Sequence, residues 1–450
     1  MTLSTLYFKD FEALKRHLRT HKSTLFLSSQ TSTVIPFQFL KEYLSPNNEE
    51  YTVGQLSGLP PEIELLKNNQ LKISGGVTWH EALAYCRSLG RDLMTWPTEE
   101  MANVLAGLAT SATGERSFAF GSLRNQVDRI TYLNYQGDSV QLDSKKSLLS
   151  HPLFQHLGIE LLKYQEKFIP YLQMKNGPIP RLMSETDLMI GTEGQLGIIQ
   201  EAVFNTIPLK ETKFLMIPLI KWEIDFNSHL EVFEKVQRFR GEIYSVEFFD
   251  SNCLNYLLDS PLIKDRDYVI LEVVEDHLDD VLEIISTFKH TKIEDIFEIS
   301  RKKYHDIRGD IPRRINEVNS QRAVTKKGTD AQVDPKNFKN LLKIYAEMAG
   351  KGIPYALLGH FGDGHLHFNF LPTKDEMIEC EGYLKNFYKE LKDLKGSPFA
   401  EHGIGILKKG FVMDFFDPSI FKIFKHLKET LDPFDQFFPQ GYLNMYKGNE

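Results

Sequence analysis

Lys213-Phe-Leu-Met-Ile-Pro-Leu-Ile-Lys-Trp222, Glu242-Ile-Tyr-Ser-Val-Glu-Phe-Phe-Asp250 and Asp267-Tyr-Val-Ile-Leu-Glu-Val-Val-Glu275 are three runs rich in β-branched and aromatic residues. Each is long enough for a strand and too short for a typical helix. Between and after them, Ser228–Arg240 and His277–His290 carry apolar residues at helical spacing. The order is that of a ferredoxin-like lobe, in which two helices cover one antiparallel sheet. Upstream the pattern differs. Short strand-like runs at Thr24–Leu27, Lys72–Ser74 and Ile130–Tyr135 alternate with helical patterns at Phe11–Thr20, Trp79–Leu89 and Thr98–Leu108. Asn134–Leu142 reads as a hairpin around Gly137-Asp138. Residues 144–185 read as an irregular connector with helical pieces. The boundary is expected near Ile207–Leu209, giving domains 1–207 and 208–450 in an α+β chain.

Composition fits a soluble enzyme of more than one lobe. The chain has 450 residues, and single cores stop growing at roughly 250–300. Apolar residues make up 42%, enough for a substantial interior. The net charge of −8 argues against a nucleic-acid partner, which needs a basic patch. No uninterrupted apolar run reaches the length of a membrane span. The N-terminal segment lacks the apolar core of a secretory signal. Cys86, Cys253 and Cys380 are scattered, which fits a reducing compartment and excludes a clustered iron–sulfur module within this chain. A cytoplasmic location is expected.

The chemistry concentrates near the C-terminus. Leu357-Leu-Gly-His-Phe-Gly-Asp-Gly-His-Leu-His-Phe-Asn369 is followed by Ala400-Glu-His-Gly-Ile-Gly405. Side chains alternate along a strand, so His365 and His367 share a face if a strand resumes after Gly364. Gly362 and Gly364 permit a tight turn that swings His360 back toward His367. Glu401 would complete a His/His/Glu set with positions open to substrate or water. Nitrogen and oxygen ligands suit zinc, manganese or iron.

Those two segments resemble the C-terminal signatures of the FAD-linked D-2-hydroxy-acid dehydrogenases, close to HxGDGNxHxN and EHG, with His365 in place of the usual Asn. That group includes D-lactate, glycolate and D-2-hydroxyglutarate dehydrogenases, within the flavoproteins similar to vanillyl-alcohol oxidase. Further matches run in family order. Asp187–Pro208 resembles the G-[ST]-E-G-T-L-G signature, with Gln195 where Thr is usual. Thr113–Asp138 is similar to the end of the first flavin-contacting region, and Leu431–Leu443 to the closing D-P-x-x-x-x-x-P-G-K. The resemblance implies a two-lobed FAD-binding domain of the vanillyl-alcohol-oxidase type, a ferredoxin-like substrate (cap) domain and a helical C-terminal segment.

The resemblance also implies site residues. Arg308 matches the arginine used for a substrate carboxylate, and Asn369 and Lys327 match further substrate-binding positions. His402 matches the general base, and His360, His367 and Glu401 the metal ligands. The FAD positions are Ser29, Thr31, Ser32, Thr110, Gly114, Gly191, Glu193, Gly194, Gly197 and Ile198. Here the chain departs from the pattern. Leu27–Thr33 stands where R-G-G-G-T-S is usual, and Val104–Gly114 where a second glycine-rich stretch is usual. Each lost glycine could remove a left-handed conformation that the loop needs. The implied reaction is oxidation of a D-2-hydroxy acid to a 2-oxo acid, with electrons passed to an external protein or quinone. A non-catalytic homologue with weakened flavin binding is the alternative. A metal-dependent hydrolase without flavin is a third reading, supported by no further motif.

Overall fold

The structure is a computed structural model that describes residues 3–32, 34–37, 40–41, 51–257, 262, 265–415 and 417–448. The chain divides into two compact units. One comprises Met1–Gly114, Ser122–Leu209 and Glu401–Glu450; the other comprises Glu115–Gly121 and Lys210–Ala400. The sequence expectation drew a single cut, at 207/208. By compactness the last fifty residues join the first unit, and a seven-residue segment from the N-terminal half joins the second.

The first unit holds a three-stranded parallel sheet, ordered Leu3–Tyr7, Tyr51–Gln55, Thr24–Leu27. It also holds a five-stranded antiparallel sheet, ordered Glu62–Leu65, Gln70–Ser74, Ile198–Asn205, Val127–Leu133, Ser139–Asp143. The expected hairpin forms: the Asn134 N–H donates to Asp138 O, and Gly137 sits at φ 77°. The expected helix Thr98–Leu108 is shorter and later, at Val104–Thr110. Asn103 explains the difference. Its side chain accepts from the Ala106 N–H while its amide donates to Gly75 O and Val77 O, so it fixes the helix start at 104.

The second unit is built on one antiparallel sheet. Its order is Phe297–Ile299, Thr212–Leu219, Asp267–Val274, Ile243–Phe249, Tyr355–His360, His365–Phe370, Lys327–Gly328, with Ala331–Gln332 also paired to His365–Phe370. The first four strands have the 4-1-3-2 order of a ferredoxin-like fold, and the helices Asn227–Val236 and Leu278–Ser286 are its crossovers. Every residue of Ile243–Phe249 and Asp267–Val274 is buried, which accounts for their nearly continuous apolar character. The helix Arg301–Gln321 covers one face. Its Tyr304, Ile307, Ile311 and Ile315 pack with Phe214, Met216, Phe249, Tyr268, Ile270 and Leu358. Side chains alternate along each strand, so the same face carries Glu247, Glu272, His360, His365, His367 and Asn369. It is apolar at one end and ionisable at the other.

Candidate functional site

The hairpin Tyr355–His360/His365–Phe370 positions the histidines in the second unit. Its turn is a short 3-10 segment, Phe361–Asp363, closed by Gly364 at φ 63°. A side chain at Gly364 would be strained there and would meet Val333 O at 2.9 Å. The strand resumes at His365, in a register that sets His360 opposite His365 and Leu358 opposite His367. All three imidazoles therefore face the same way, and each offers a ligand atom within 4.8 Å of the others. Ring centroids lie 5.4 Å apart for His360 and His365, 6.4 Å for His360 and His367, and 4.5 Å for His365 and His367.

Oxygen acceptors orient each ring. The neighbouring strand pairs Phe248 with Gly359, so Glu247 falls opposite His360, and its Oε1 lies 2.7 Å from His360 Nδ1. Asp330 Oδ1 lies 3.1 Å from His365 Nε2, and Thr329 O lies 3.3 Å from His367 Nδ1. This is the arrangement by which metal-binding histidines are held: the N–H on one nitrogen is donated to oxygen, and the lone pair is presented on the other. Asn369, two residues on along the same face, donates to His367 O, and its Oδ1 is buried without a partner among the described residues.

Arg308 sits on the covering helix and is partly buried. Its Nε lies 3.2 Å from Glu115 Oε1 and 3.1 Å from Glu247 Oε2, and Nη2 lies 3.3 Å from His360 Nε2. Four residues on, Pro312 lacks the N–H that would bond Arg308 O along the helix. Glu115 also accepts from Tyr304 Oη at 2.8 Å. The rest of its segment is pinned alongside. Arg116 makes a two-pronged pair with buried Glu272 at 3.0 and 2.8 Å, and Ser117 bonds Asp363. Burial raises the Tyr304 hydroxyl far above its ordinary range, so it is a donor throughout the physiological range. Lys327 pairs with Glu381 at 2.6 Å on the sheet's edge strand.

Four acidic residues here were missed from sequence: Glu115, Glu247, Asp330 and Asp363. One signal was present for Glu247. It is a carboxylate inside a run that otherwise reads as continuous buried strand, and carboxylates are almost never buried without a partner.

The first unit carries the loops matched to FAD positions. Ser28–Ser32 follows the C-terminal end of Thr24–Leu27, an edge strand of the parallel sheet, the end at which such sheets bind ligands. Ser28 Oγ is buried without a partner among the described residues, and Ser32 Oγ accepts from the Val34 N–H. Gln30 and Ser111 hold left-handed backbone at φ 56° and 53° although neither is glycine. Ser111 closes the helix Val104–Thr110, whose Thr110 hydroxyl bonds back to Ala106 O. Gly191, Gly194 and Gly197 take φ 80°, 70° and 156°. A Cβ on Gly197 would meet the Tyr132 ring at 2.6 Å and Leu133 O at 2.9 Å. At Gly114 it would meet Thr98 N at 2.7 Å. An orphaned hydroxyl, a string of left-handed residues and close backbone passes suit a phosphate-bearing, flat group.

Two of the matched positions use their side chains elsewhere. Ile198 packs into the core with Phe8, Leu14, Leu18, Leu59, Leu133 and Phe437, so only its backbone is available to a cofactor. The Glu193 carboxylate accepts from the Ile404 N–H at 2.6 Å and the Gly405 N–H at 3.0 Å, which fixes the turn after Glu401-His402. Burial pushes its carboxyl up to about 7, against the lowering effect of those two N–H groups. Glu401 lies 3.8 Å from the buried ammonium of Lys175, a further partner that sequence reading missed. His402 is half-buried on that turn.

Residues 224–442 match the family model described as FAD linked oxidases, C-terminal domain. Among curated proteins, the mitochondrial D-lactate dehydrogenase [cytochrome] of Kluyveromyces lactis is 21% identical over 384 residues, covering 80% of this chain and 60% of that protein. The mitochondrial D-2-hydroxyglutarate dehydrogenase of Danio rerio is 27% identical over 286 residues, covering 58% of this chain and 49% of that protein. The matched part thus spans about half to three-fifths of these relatives' lengths. Among solved structures, an alkyldihydroxyacetonephosphate synthase superposes with a TM-score of 0.64 at 15% identity, over 96% of this chain and 75% of the other. That likeness shows the fold.

Proposed function

We propose that this chain, whose residues 224–442 match the FAD linked oxidases, C-terminal domain, oxidises a D-2-hydroxy acid of the lactate, glycolate or 2-hydroxyglutarate class to the 2-oxo acid. The observation that carries the reading is the ionisable end of the sheet face. There His360, His367 and Asn369 share a face with Glu247, which pairs with the partly buried Arg308. Arg308 receives the substrate carboxylate, for which a planar guanidinium is shaped. Asn369 contributes a polar contact, whereas Lys327, opposite Phe370 in the register and paired with Glu381, lies on the other face of the sheet and is set aside as a substrate residue. His402 accepts the proton of the substrate hydroxyl, a task suited to a group that titrates near neutral pH.

Two groups would be held by residues of this chain. His360, His367 and Glu401 would ligate a divalent cation, which supplies polarisation of the substrate hydroxyl. The loops at Ser29, Thr31 and Ser32, at Thr110 and Gly114, and from Gly191 to Ile198 would hold FAD, which supplies the acceptor for the C2 hydride. The left-handed backbone kept at Gln30 and Ser111 supports retained flavin binding over a non-catalytic homologue. Electrons leave to an external protein or quinone. All three thiols are buried, and burial raises Cys86 and Cys380 to about 11; this suits a reducing compartment, and we place the protein in the cytoplasm. No helix among the described residues is long and apolar enough to cross a membrane.

The test is the visible spectrum of the purified protein before and after anaerobic addition of D-2-hydroxy acids. Flavin absorption that bleaches with one acid is the expected result. A colourless protein that takes up no added FAD overturns the reading. In His402→Ala, flavin stays bound and its reduction slows by about 10²–10⁴-fold. An unchanged rate removes His402 from the base role.

A further inference from the structure

We propose that His365 is itself a metal ligand, so that one hairpin supplies a complete face of three imidazole nitrogens. The inference rests on the reading above that this hairpin holds a divalent cation. It changes the character of that site, from two histidines and a carboxylate to three histidines with the carboxylate added.

Three observations carry it. The hairpin register puts His365 directly opposite His360 and two residues from His367, so its ring cannot avoid their face. Its ring is the nearer of the two neighbours to His367, at 4.5 Å between centroids against 6.4 Å for His360. Its own carboxylate, Asp330, is as buried as it is, with side-chain exposures of 1% and 0%. A buried carboxylate on one ring nitrogen raises the basicity of the other and fixes the tautomer. Asp330 holds Nε2 of His365, so this ring would bind through Nδ1. His367, held at Nδ1, would bind through Nε2, and so would His360 once Arg308 Nη2, 3.3 Å from that nitrogen, turns away.

The competing account is that His365 is a core histidine satisfied by Asp330. It gives no reason for clustering three imidazoles, each with an oxygen behind it, on one face. The cluster is also electrically suited to a cation. Glu247 and Asp330 each lie against an imidazole of the cluster, and Glu115 and Glu247 together face Arg308. Three neutral nitrogens favour zinc or another borderline metal over manganese.

The experiment uses the full chain with flavin retained, stripped of metal by chelation and titrated with Co²⁺. Proton NMR then counts the exchangeable, hyperfine-shifted imidazole N–H signals. Each is held by an oxygen (Glu247, Asp330 or Thr329) and should exchange slowly enough to be seen. Three signals are expected. His365→Asn should remove one and weaken Zn²⁺ binding by tenfold or more against a chromophoric chelator, while Glu401→Gln keeps all three. Two signals in the unsubstituted protein overturn the role of His365 and leave the two-histidine site standing. If no Co²⁺ is taken up, both fail together. The count in the unsubstituted chain decides the matter even if His365→Asn does not fold.

Discussion

The histidine hairpin and the Ser/Thr loops matched to flavin positions present different parts of the residue. At the hairpin the distinctive parts are side chains: imidazoles on a period-two strand, with oxygens behind them. At Ser28–Ser32 and Gly191–Gly197 the distinctive part is the backbone, bent into conformations that glycine adopts easily. A sequence writes the first kind of site in its letters and the second only in its glycines. Gln30, Ser111 and Glu193 show how incomplete that second record is. All three hold left-handed backbone without being glycine. Reading glycine loss as loop loss therefore overstated the damage. A left-handed L-residue costs on the order of 1–2 kcal/mol, which a folded domain can absorb at a few positions.

The contrast is broken most directly at Gly197. Replacing it by Ala drives a Cβ into the Tyr132 ring and the Leu133 carbonyl, and the carbonyl cannot move aside. We expect a loss of about 3 kcal/mol in urea unfolding, with FAD binding weakened in parallel. Retained stability would show that this loop is not set by close packing.

On the hairpin side the matching change leaves the backbone alone. Glu247→Gln removes the charge behind His360 and beside Arg308. Metal affinity should fall by about 10–100-fold, read by chelator competition, while the flavin spectrum is unchanged. A parallel loss of flavin would mean that the substitution disturbs the fold rather than the ligand.

Glu193 belongs to both kinds of site, since its side chain braces a backbone turn. Its carboxyl is raised from 4.5 to about 7 by burial, so the folded chain prefers the neutral acid. Its contribution to stability is present below pH 4.5 and is lost as pH rises through about 7. Glu193→Gln should flatten that part of the stability–pH curve, measured as Tm from pH 4.5 to 7.5. An unchanged slope would assign the pH dependence to other groups.

The ferredoxin-like lobe was legible for the same reason as the hairpin. Its strands announce themselves as apolar runs, and strand order follows from the connections. The oxygens that orient the histidines were not legible, because they come from far along the chain: Glu247 lies 113 residues from His360, and Asp330 lies 35 from His365. Nothing local in "Gly328-Thr-Asp-Ala" distinguishes Asp330 from a solvated loop acid. The two-way exchange of Glu115–Gly121 and Glu401–Glu450 between units is equally silent. It is fixed by pairs such as Arg116 with Glu272, whose partners lie 156 residues apart.

The smallest expected effect tests the comparison most finely. Gln30 is exposed, so replacing it by Gly removes no packing. It relieves about 1–2 kcal/mol of left-handed strain and adds about 0.4–1 kcal/mol of unfolded-chain entropy. The net should be a gain of some tenths of a kcal/mol up to ~1.5 kcal/mol, seen as a small rise in the urea midpoint with no change in its slope. FAD affinity should not move, because the loop already has the shape that glycine would give it. A clear rise in affinity would mean that the loop reaches its binding shape only part of the time, and that the missing glycines do matter to the cofactor after all.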